Sequence, residues 1–515
     1  LGVIFKELNR LGEAEASYWR ALEIKPGFAE AHYNLGAAFR AQGRLDEAGA
    51  SYRRALEIKP DYVEAHSNLG NILHALNRLD EAEASYRRAL EIRPDYAEAH
   101  SNLGVVLKEQ GRPDEAGASY RRALEVNPGH AEAHSNLGVI FKDLNRLGEA
   151  EASYRRALEI RPDYAEAHAN LGSVFRMQGR LSEAKACYRR ARQSGFYGAR
   201  VQEALMLPAI MGARQEMLES RAEFERNLDE LIAEGVVLDD PLKSVGETNF
   251  YLAYHGLNDR DLQVKVAKYY ERACPSLLYT APHCIEPKAD ARKKIRVGFL
   301  SKFLYNHSVS LCFGKIIEIL SLKTQFEATL ISNHAIDEKV YSGFVGKHVR
   351  LPDNLVRARE MLAALELDIL VHLDIGMEPL SYFLAFSRLA GVQCVLGGHP
   401  VTTGIANIDY FLSAGLMEPS GADEHYSEKL VRLQGPMIYF MRPALPATLK
   451  TRHELNLPDG RRLYMCPMKL QKLHPDFDEA ITRILQIDGN GAVVLFEDDK
   501  CPYWKKALAE RFDAE

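Results

Sequence analysis

A unit of 34 residues repeats without insertion from the first residue to about residue 195. Each complete copy contains Ala-His-x-Asn-Leu-Gly and, further along, Ala-x-x-x-Tyr-x-x-Ala, which is followed by x-x-x-x-Pro in every copy but the last. Both halves of the unit have helical spacing; the first half ends at Gly or Asn and the second ends before Pro, as helices commonly do. One such unit cannot bury its apolar face alone, so neighbouring copies must stack on one another.

A fixed period of this length with two helices per unit is the signature of tetratricopeptide repeats. We therefore predict an α superhelical solenoid over residues 1–195, made of one partial and five complete repeats. Stacked repeats enclose a long concave groove, which is a surface that holds other proteins. We expect the partners to be acceptor proteins bound there as extended segments.

Each complete repeat carries the same asparagine, and a carboxamide can both donate to and accept from a peptide backbone. Neighbouring helices lie roughly 8–10 Å apart and an extended chain advances about 3.3 Å per residue, so one asparagine would meet about every third residue of a bound segment. The alternative is that each asparagine braces its own repeat. The row consists of Asn34, Asn68, Asn102, Asn136 and Asn170.

Composition narrows the class of partner. A formal net charge of -6 and an isoelectric point near 6.3 give no basic footprint for nucleic acid or for an anionic membrane. No apolar run is long enough to cross a bilayer. The seven cysteines are scattered and never form Cys-x-x-Cys, which indicates a reducing compartment, a cytoplasmic location and no structural zinc.

Beyond the repeats the pattern of apolar and polar residues changes twice. Residues 196–290 keep helical spacing and are predicted to form a helical cap and linker. Residues 291–445 alternate near-continuous apolar strands with helices, which predicts a parallel, doubly wound Rossmann-like domain. Residues 460–515 begin a second such domain, and we expect the sequence to be cut at both ends. Ligands of such sheets bind beyond the carboxyl ends of the strands.

Several motifs follow one another along these two segments. They are Arg296–Ser301 with Asn306-His307-Ser308, Asp368–Gly376, Gly398–Gly404, Ile408–Tyr410, Tyr426–Leu430 and Cys466–Pro475. Following tetratricopeptide repeats in this order, they resemble the O-linked N-acetylglucosamine transferase family, including its SPINDLY-like branch. The resemblance implies a GT-B glycosyltransferase that moves a sugar from a nucleotide donor to Ser or Thr hydroxyls of proteins, without a metal or another cofactor.

Three residues are candidates for catalysis. His307 follows the first strand, where an imidazole can take a proton from the attacking hydroxyl or orient acceptor and sugar, and the resemblance implies an active-site histidine there. Asp374 lies at the carboxyl end of its strand. Asp368 lies near the start of that strand, where many relatives have His. The alternatives are a loop histidine bonded to backbone and aspartates that cap the next helix.

Two segments are predicted to bind the nucleotide-sugar donor. The turn from His399 to Gly404 offers a glycine, backbone amides and the hydroxyls of Thr402 and Thr403 to a sugar or phosphate; relatives usually have an aromatic residue at the position of Gly397. Lys472 precedes a helix, and the resemblance implies that it neutralises the diphosphate of the leaving nucleotide, assisted by the helix dipole. The alternatives are a structural turn and a solvated surface lysine.

The sequence therefore predicts a protein O-glycosyltransferase that uses UDP-N-acetylglucosamine in one in-line step with inversion. Two alternatives stay open: a protein O-fucosyltransferase that uses GDP-fucose, and a non-catalytic repeat scaffold that binds proteins. Because the remaining donor-binding sequence is not present, we expect this chain to bind the donor weakly and to turn over poorly, if at all.

Overall fold

The computed structural model describes residues 1–286, 294–397, 401–438, 448–496 and 502–514. The chain divides into two compact units, Leu1–Ala167 and His168–Glu515. The first is helical, and the second combines helices with parallel sheets. The predicted fold class, a tetratricopeptide solenoid followed by a Rossmann-like domain and the start of another, is confirmed. No helix within the described ranges is both long and apolar enough to span a membrane.

The first unit contains one helix pair per repeat, as its two halves of helical spacing predict. Its helices are α1 (Gly2–Glu7), α2 (Leu11–Ile24), α3 (Ala29–Ala41), α4 (Leu45–Ile58), α5 (Val63–Ala75), α6 (Leu79–Ile92), α7 (Ala97–Glu109), α8 (Pro113–Val126), α9 (Ala131–Asp143) and α10 (Leu147–Ile160). The turns after the first helix of each pair contain a residue in the left-handed region, with φ of 77° at Gly43, 56° at Asn77 and 70° at Gly111. Glycine and asparagine tolerate that conformation, which explains their place in the repeat.

The Leu-Gly of the repeat motif is explained by the tyrosine in the second helix of the same repeat. Tyr120 is buried, and its ring lies so close to Gly104 that a Cβ there would come within 2.6 Å of it. The same contact recurs in the neighbouring repeats, where a Cβ at Gly70 would lie 2.7 Å from the ring of Tyr86. Only glycine lets the two helices of a repeat approach this closely.

The histidine of the repeat motif links its helix to the end of the preceding repeat. Nε2 of His66 lies 2.9 Å from the carbonyl oxygen of Pro60, and Nε2 of His100 lies 2.9 Å from that of Pro94. His32 and His134 make the same contact at 3.2 and 3.1 Å. These contacts give the histidines a packing role between neighbouring repeats.

The second unit begins within α11 and continues through a helical segment. These helices are α11 (Ala165–Met177), α12 (Leu181–Gln193), α13 (Gly198–Ala204), α14 (Arg214–Glu234), α15 (Pro241–Ser244), α16 (Arg260–Ala273) and α17 (Pro282–Ile285). Short 3₁₀ helices cover Phe250–His255 and Pro275–Leu277. Val266 of α16 and Leu228 of α14 are buried in the same apolar core as residues of the sheet that follows. Because the core is shared, the helical segment braces the sheet.

A seven-stranded parallel sheet forms the centre of the second unit. Its elements are β1 (Ile295–Leu300), α18 (Ser308–Ser321), β2 (Phe326–Ser332), β3 (Lys347–Arg350), α19 (Leu355–Ala364), β4 (Leu367–His372), α20 (Pro379–Leu384), β5 (Ala390–Leu396), β6 (Tyr410–Ala414) and β7 (Lys429–Leu433). The strand order is β3-β2-β1-β4-β5-β6-β7, and every pair is parallel. The order reverses between β1 and β4, so the crevice at which ligands of such sheets bind lies beyond these two strands.

A second, smaller parallel pair follows. It consists of β8 (Arg462–Lys469), α21 (Asp476–Ile487), β9 (Gly491–Phe496) and α22 (Pro502–Ala514). β8 and β9 are the two strands that the sequence predicts, and α22 is a helix that the sequence analysis did not assign. Trp504 of α22 donates from Nε1 to the carbonyl oxygen of Met177 at 3.0 Å, which anchors this helix within the second unit.

Candidate active site

The carboxyl ends of β1 and β4 bring two of the predicted catalytic residues to the same edge of the sheet. Leu300, the last residue of β1, pairs with His372, the last residue of β4. His307 lies in the loop after β1, and Asp374 lies directly after β4. Both positions are beyond the strands that flank the reversal of strand order, where a ligand crevice is expected.

His307 is the N-cap of α18. Its Nδ1 accepts a hydrogen bond from the backbone N–H of Val309 at 3.3 Å, and its ring stacks on Phe303 with a centroid distance of 4.3 Å. In the neutral imidazole a nitrogen that accepts carries no proton, so the proton is on Nε2. Nε2 of His307 is therefore a hydrogen-bond donor in this tautomer.

Burial, followed by the charges of Lys469 and Lys472, holds the pKa of His307 below its usual range. The imidazole is therefore neutral at neutral pH. Acting as a general base through Nε2 requires the bond from Val309 to break and the proton to move to the other nitrogen. Orienting a substrate oxygen requires neither change, so of the two predicted roles the geometry favours orientation.

Lys472 approaches the same place from the smaller sheet. It ends a 3₁₀ helix, Leu470–Lys472, directly after β8, and its charge acts on His307 and on the thiol of Cys312 in α18. Its Nζ lies 5.9 Å from the ring centroid of Tyr254. Residues far apart in the sequence thus bring an exposed ammonium within electrostatic range of a neutral imidazole donor, which is a setting for an anionic ligand.

The helix that follows Lys472 does not add an anion site. The backbone N–H of Asp476 already donates to Nδ1 of His474 at 3.1 Å, and the first turn of α21 carries Asp476, Asp478 and Glu479. Carboxylates at a helix N-terminus already occupy its favourable potential. The predicted contribution of the helix dipole therefore has no support here, and the positive charge comes from the lysines.

Asp374 is fully buried. Burial, with a smaller contribution from Glu378, raises the pKa of Asp374 to about 8, although the Ser301 hydroxyl and the Lys302 amide act in the opposite direction. Neither of these groups makes a hydrogen bond of good geometry to the carboxylate. Asp374 is therefore mostly protonated at neutral pH, where it can donate a proton and is not available as a base.

The predicted alternative for the aspartates, capping of the next helix, belongs to a third carboxylate. Glu378 is the N-cap of α20, and its Oε2 accepts from the backbone N–H of Ser381 at 2.7 Å. Glu378 is buried, and burial raises its pKa. Sequence reasoning did not assign Glu378; the signal was a glutamate directly before Pro379, the residue type that favours the first helical position.

The structure corrects the prediction for Asp368. This residue lies at the amino end of β4, and its Oδ2 accepts from the backbone N–H of Arg296 at 2.7 Å. Six residues of extended strand separate it from Asp374, which is about 20 Å at 3.3 Å per residue. Asp368 is therefore at the opposite edge of the sheet from His307 and connects β4 to β1.

His372 is enclosed in the sheet rather than presented to the cleft. It is fully buried, neither ring nitrogen has a hydrogen-bond partner among the residues that the structure describes, and burial alone lowers its pKa to about 4. A neutral imidazole without partners at the end of β4 has no route to a proton acceptor. It contributes packing between β1 and β5.

The hydroxyls predicted to contact the donor are bound to Glu428. Its Oε2 accepts from Thr402 Oγ1 at 2.6 Å, and its Oε1 accepts from the backbone N–H of Thr403 at 2.8 Å and from the hydroxyl of Thr403. Thr402, Thr403 and Glu428 are all buried. This network holds the turn in shape, and the contact of these threonines with a ligand stays a prediction.

Gly404 has a packing reason for being glycine. Its φ is 71°, and a Cβ there would lie 2.3 Å from the backbone of Gln263 in α16. The remaining residue of this predicted site, His399, lies outside the described residues. Glu428 lies within the Tyr426–Leu430 motif of the sequence. Its role depends on hydrogen bonds from Thr402 and Thr403, which lie 26 and 25 residues earlier in the chain, so the motif alone does not predict it.

The asparagines of the repeats are half-buried and partly engaged. Nδ2 of Asn68 donates to the Tyr33 hydroxyl at 2.9 Å, Nδ2 of Asn102 donates to Oδ1 of Asn71 at 3.0 Å, and Nδ2 of Asn34 donates to the carbonyl oxygen of Glu30 at 2.9 Å. The first two bonds join successive repeats. The bracing role is therefore present, and a carboxamide with a second N–H keeps capacity for a bound backbone.

Comparison with known proteins supports the assignment of the first part of the chain. A family described as TPR repeat matches residues 2–39, 36–77 and 70–111, and a family described as tetratricopeptide repeat matches residues 95–163 and 131–194. Residues 2–194 are tetratricopeptide repeats. The repeats account for the recurring glycine, tyrosine and histidine contacts of these helices.

The predicted resemblance to O-GlcNAc transferases is confirmed by a curated relative. The chain is 25% identical over 258 residues to the probable UDP-N-acetylglucosamine–peptide N-acetylglucosaminyltransferase SEC of Arabidopsis thaliana. The match covers 46% of this chain and 26% of that protein, so this chain spans about a quarter of the length of its relative.

Two solved structures are similar to this chain. An O-GlcNAc transferase mutant from Thermobaculum terrenum is 20% identical, with 87% of this chain and 72% of that chain covered and a TM-score of 0.39. YrrB, described as a TPR protein with an unusual peptide-binding site, is 24% identical, with 35% and 92% covered and a TM-score of 0.30.

Proposed function

We propose that this chain belongs to a protein O-glycosyltransferase that transfers N-acetylglucosamine from UDP-N-acetylglucosamine to Ser or Thr hydroxyls, with its repeats binding the acceptor proteins. The observation that carries the proposal is that Lys469 and Lys472, at and directly after the end of β8, lie within electrostatic range of His307 at the carboxyl edge of the larger sheet. The similarity to a protein N-acetylglucosaminyltransferase supports this choice of sugar and acceptor.

Lys472 has the role of holding the diphosphate. When the acceptor oxygen attacks the anomeric carbon, the bond to the diphosphate breaks and negative charge grows on the leaving nucleotide. A nearby ammonium stabilises that charge more in the transition state than in the bound donor. The second cation that acts on His307, Lys469, adds to the same field.

His307 has the role of orienting oxygen atoms of the substrates. Its Nε2–H donates while Nδ1 stays bonded to Val309, and the stacking on Phe303 fixes the plane of the ring. A donor held in place in this way positions an attacking hydroxyl or a phosphate oxygen at no cost in side-chain freedom. Because Nε2 of His307 already carries a proton, the proton of the acceptor hydroxyl passes to an oxygen of the departing diphosphate.

Calorimetric titration of UDP, UDP-N-acetylglucosamine and GDP into the chain tests the proposal. We expect UDP and its sugar to bind more tightly than GDP, and Lys472→Ala to weaken them by about 10- to 100-fold, since a charge-assisted contact contributes roughly 1.5–3 kcal/mol. The control is Lys323→Ala, which removes an exposed lysine at the end of α18 and leaves UDP binding unchanged.

Two outcomes would contradict this assignment. Tighter binding of GDP than of UDP points to the use of GDP-fucose. Absence of binding by any nucleotide favours the non-catalytic repeat scaffold, in which the Rossmann-like part is a degenerate docking domain.

A further inference from the structure

A row of basic side chains recurs in the first helix of every repeat of the first unit. Each lies in the last turn of its helix, six residues after the asparagine position, whereas the second helices α2, α4, α6, α8 and α10 have no basic residue in their last turn. The basic row consists of Lys6, Arg40, His74, Lys108 and Lys142.

A helix C-terminus favours a cation, and this preference alone would explain one basic residue. It acts on both helices of a repeat, and four of the second helices carry a Lys or Arg as their C-cap residue: Lys25, Lys59, Arg93 and Arg161. Those C-cap cations are engaged, because Lys25 and Lys59 lie over aromatic rings while Arg93 and Arg161 bind Glu64 and Glu132. What distinguishes the basic row is therefore the surface on which the first helices lie.

That surface also carries the asparagine row. Hydrogen bonds from Asn68 to Tyr33 and from Asn102 to Asn71 join the first helices of successive repeats on the face where the asparagines lie. Nε2 of His74 in α5 likewise reaches Glu109 in α7 at 2.9 Å. Six residues of helix place the cation about 9 Å further along the axis and about 120° around it from the asparagine, so the basic row runs parallel to the asparagine row and to one side of it.

Acidic residues lie next to several members of the basic row. Acidic residues follow directly at Glu7, Glu109 and Asp143, and Glu109 is the partner of His74. Within residues 1–286, where the structure has no gap, Arg40 and Lys108 form no ion pair, and Arg40 is exposed. These two cations are available to a partner.

The opposite ends of the same helices carry carboxylates. The first turns of α3, α5, α7 and α9 contain Glu30, Glu64, Glu98 and Glu132. Glu64 and Glu132 are already bound by Arg93 and Arg161. An extended segment held along the asparagine row therefore has cations on one side and partly neutralised carboxylates on the other.

We propose that the first unit selects protein segments that carry Asp or Glu, whose carboxylates contact the basic row while the asparagine row holds the backbone. Successive side chains of an extended segment project to opposite sides, so acidic residues at alternate positions all face the basic row. This selection rests on the proposed binding of acceptor proteins by the repeats and is independent of the chemistry at His307.

Fluorescence anisotropy of the complete chain with a labelled dodecapeptide tests the proposal. The probe contains Ser and Thr with Asp or Glu at alternate positions, and its counterpart has Asn and Gln in place of the acids. We expect the acidic peptide to bind about tenfold more tightly at low salt, with the difference lost in 0.5 M NaCl because salt screens exposed pairs.

The decisive variant is the double substitution Arg40→Gln with Lys108→Gln. It should weaken binding of the acidic peptide by about fivefold, since an exposed ion pair contributes about 0.2–1 kcal/mol, and should leave the amide peptide unchanged. The matched control is Arg54→Gln with Arg122→Gln, which removes the same charge from the second helices of the same two repeats, where each arginine pairs within its own helix.

Equal affinity for the two peptides, no binding of the acidic peptide, or an acidic preference that survives in the decisive variant would each overturn the proposal. Nucleotide binding by the second unit, measured in the same preparations, separates these outcomes from failure of the proposed transferase.

Discussion

Nδ1 of His307 accepts a hydrogen bond from the backbone N–H of Val309, so the same imidazole both caps α18 and faces the crevice beyond β1. The cap fixes the proton on Nε2, and burial beside two lysines keeps the ring neutral. The structural and the chemical tasks of this side chain are therefore separable by substitution.

His307→Asn should keep the cap and lose the Nε2 donor. Asparagine is among the favoured N-cap residues, so we expect stability within about 0.5 kcal/mol of the parent, whereas His307→Ala should cost about 1 kcal/mol. Both variants should lose affinity for UDP-N-acetylglucosamine to a similar degree. Denaturant unfolding and calorimetry measure the two quantities; full retention of donor binding in both variants would remove His307 from the site.

Asp374 should make the second unit less stable as pH rises. Its pKa of about 8 in the folded protein exceeds the unfolded value near 3.8, so between these values the folded state binds the extra proton. The contribution of Asp374 to the free energy of unfolding is fully present below about pH 4. It is lost as pH rises toward 8, by at most about 1.4 kcal/mol per pH unit.

The isosteric variant Asp374→Asn has no such titration and should gain stability relative to the parent across this range. Trp504 fluorescence in a Trp19→Phe background reports unfolding of the second unit. Asp459→Asn, an exposed control, should leave the pH profile unchanged. Parallel profiles for the parent and Asp374→Asn would show that Asp374 stays charged.

Gly104→Ala should destabilise the first unit, because the added Cβ would come within 2.6 Å of the Tyr120 ring. Overpacking of this kind costs about 1–3 kcal/mol. Gly117→Ala in the second helix of the same repeat is the matched control: its Cβ meets no atom closer than 3.6 Å. That change should stabilise by roughly 0.5–1 kcal/mol, since alanine favours helix.

The two glycine variants are compared by Trp19 fluorescence in a Trp504→Phe background. If both variants were more stable than the parent, the two helices of a repeat could move apart to accommodate the Cβ added at Gly104 at no cost in stability.

Glu428→Gln should weaken the turn that contains Thr402 and Thr403. The amide group cannot accept from all three donors that the carboxylate satisfies, and a buried unsatisfied donor costs about 1–3 kcal/mol. The exposed neighbour Glu424→Gln is the control. Unchanged stability combined with weaker nucleotide binding would instead support direct contact of these threonines with a ligand.

The two units differ in how far sequence reasoning reaches. The repeat pattern predicted the helices and the turns between them. Both depend on residues close together in the sequence, such as Gly43 and Asn77 in the left-handed turns. The alternating apolar strands predicted the parallel sheet, and the order of the chain placed His307 and Asp374 at its carboxyl edge.

The roles of single polar residues were harder to predict. Asp368 was assigned to catalysis by resemblance, but it binds the backbone of Arg296 at the other edge of the sheet. Thr402 and Thr403 have hydroxyls that suit a ligand, but Glu428 takes them. In each case the partner comes from a distant segment, which no local pattern specifies.

The sequence by itself determined the repeat fold, the order of the elements and the edge of the sheet where a ligand would bind, because periodicity and strand direction are local or topological properties. Only the tertiary structure decided the proton position on His307, the protonated state of Asp374 and the approach of Lys472. Burial and charges from distant segments set these properties, and both exist only after the chain has packed.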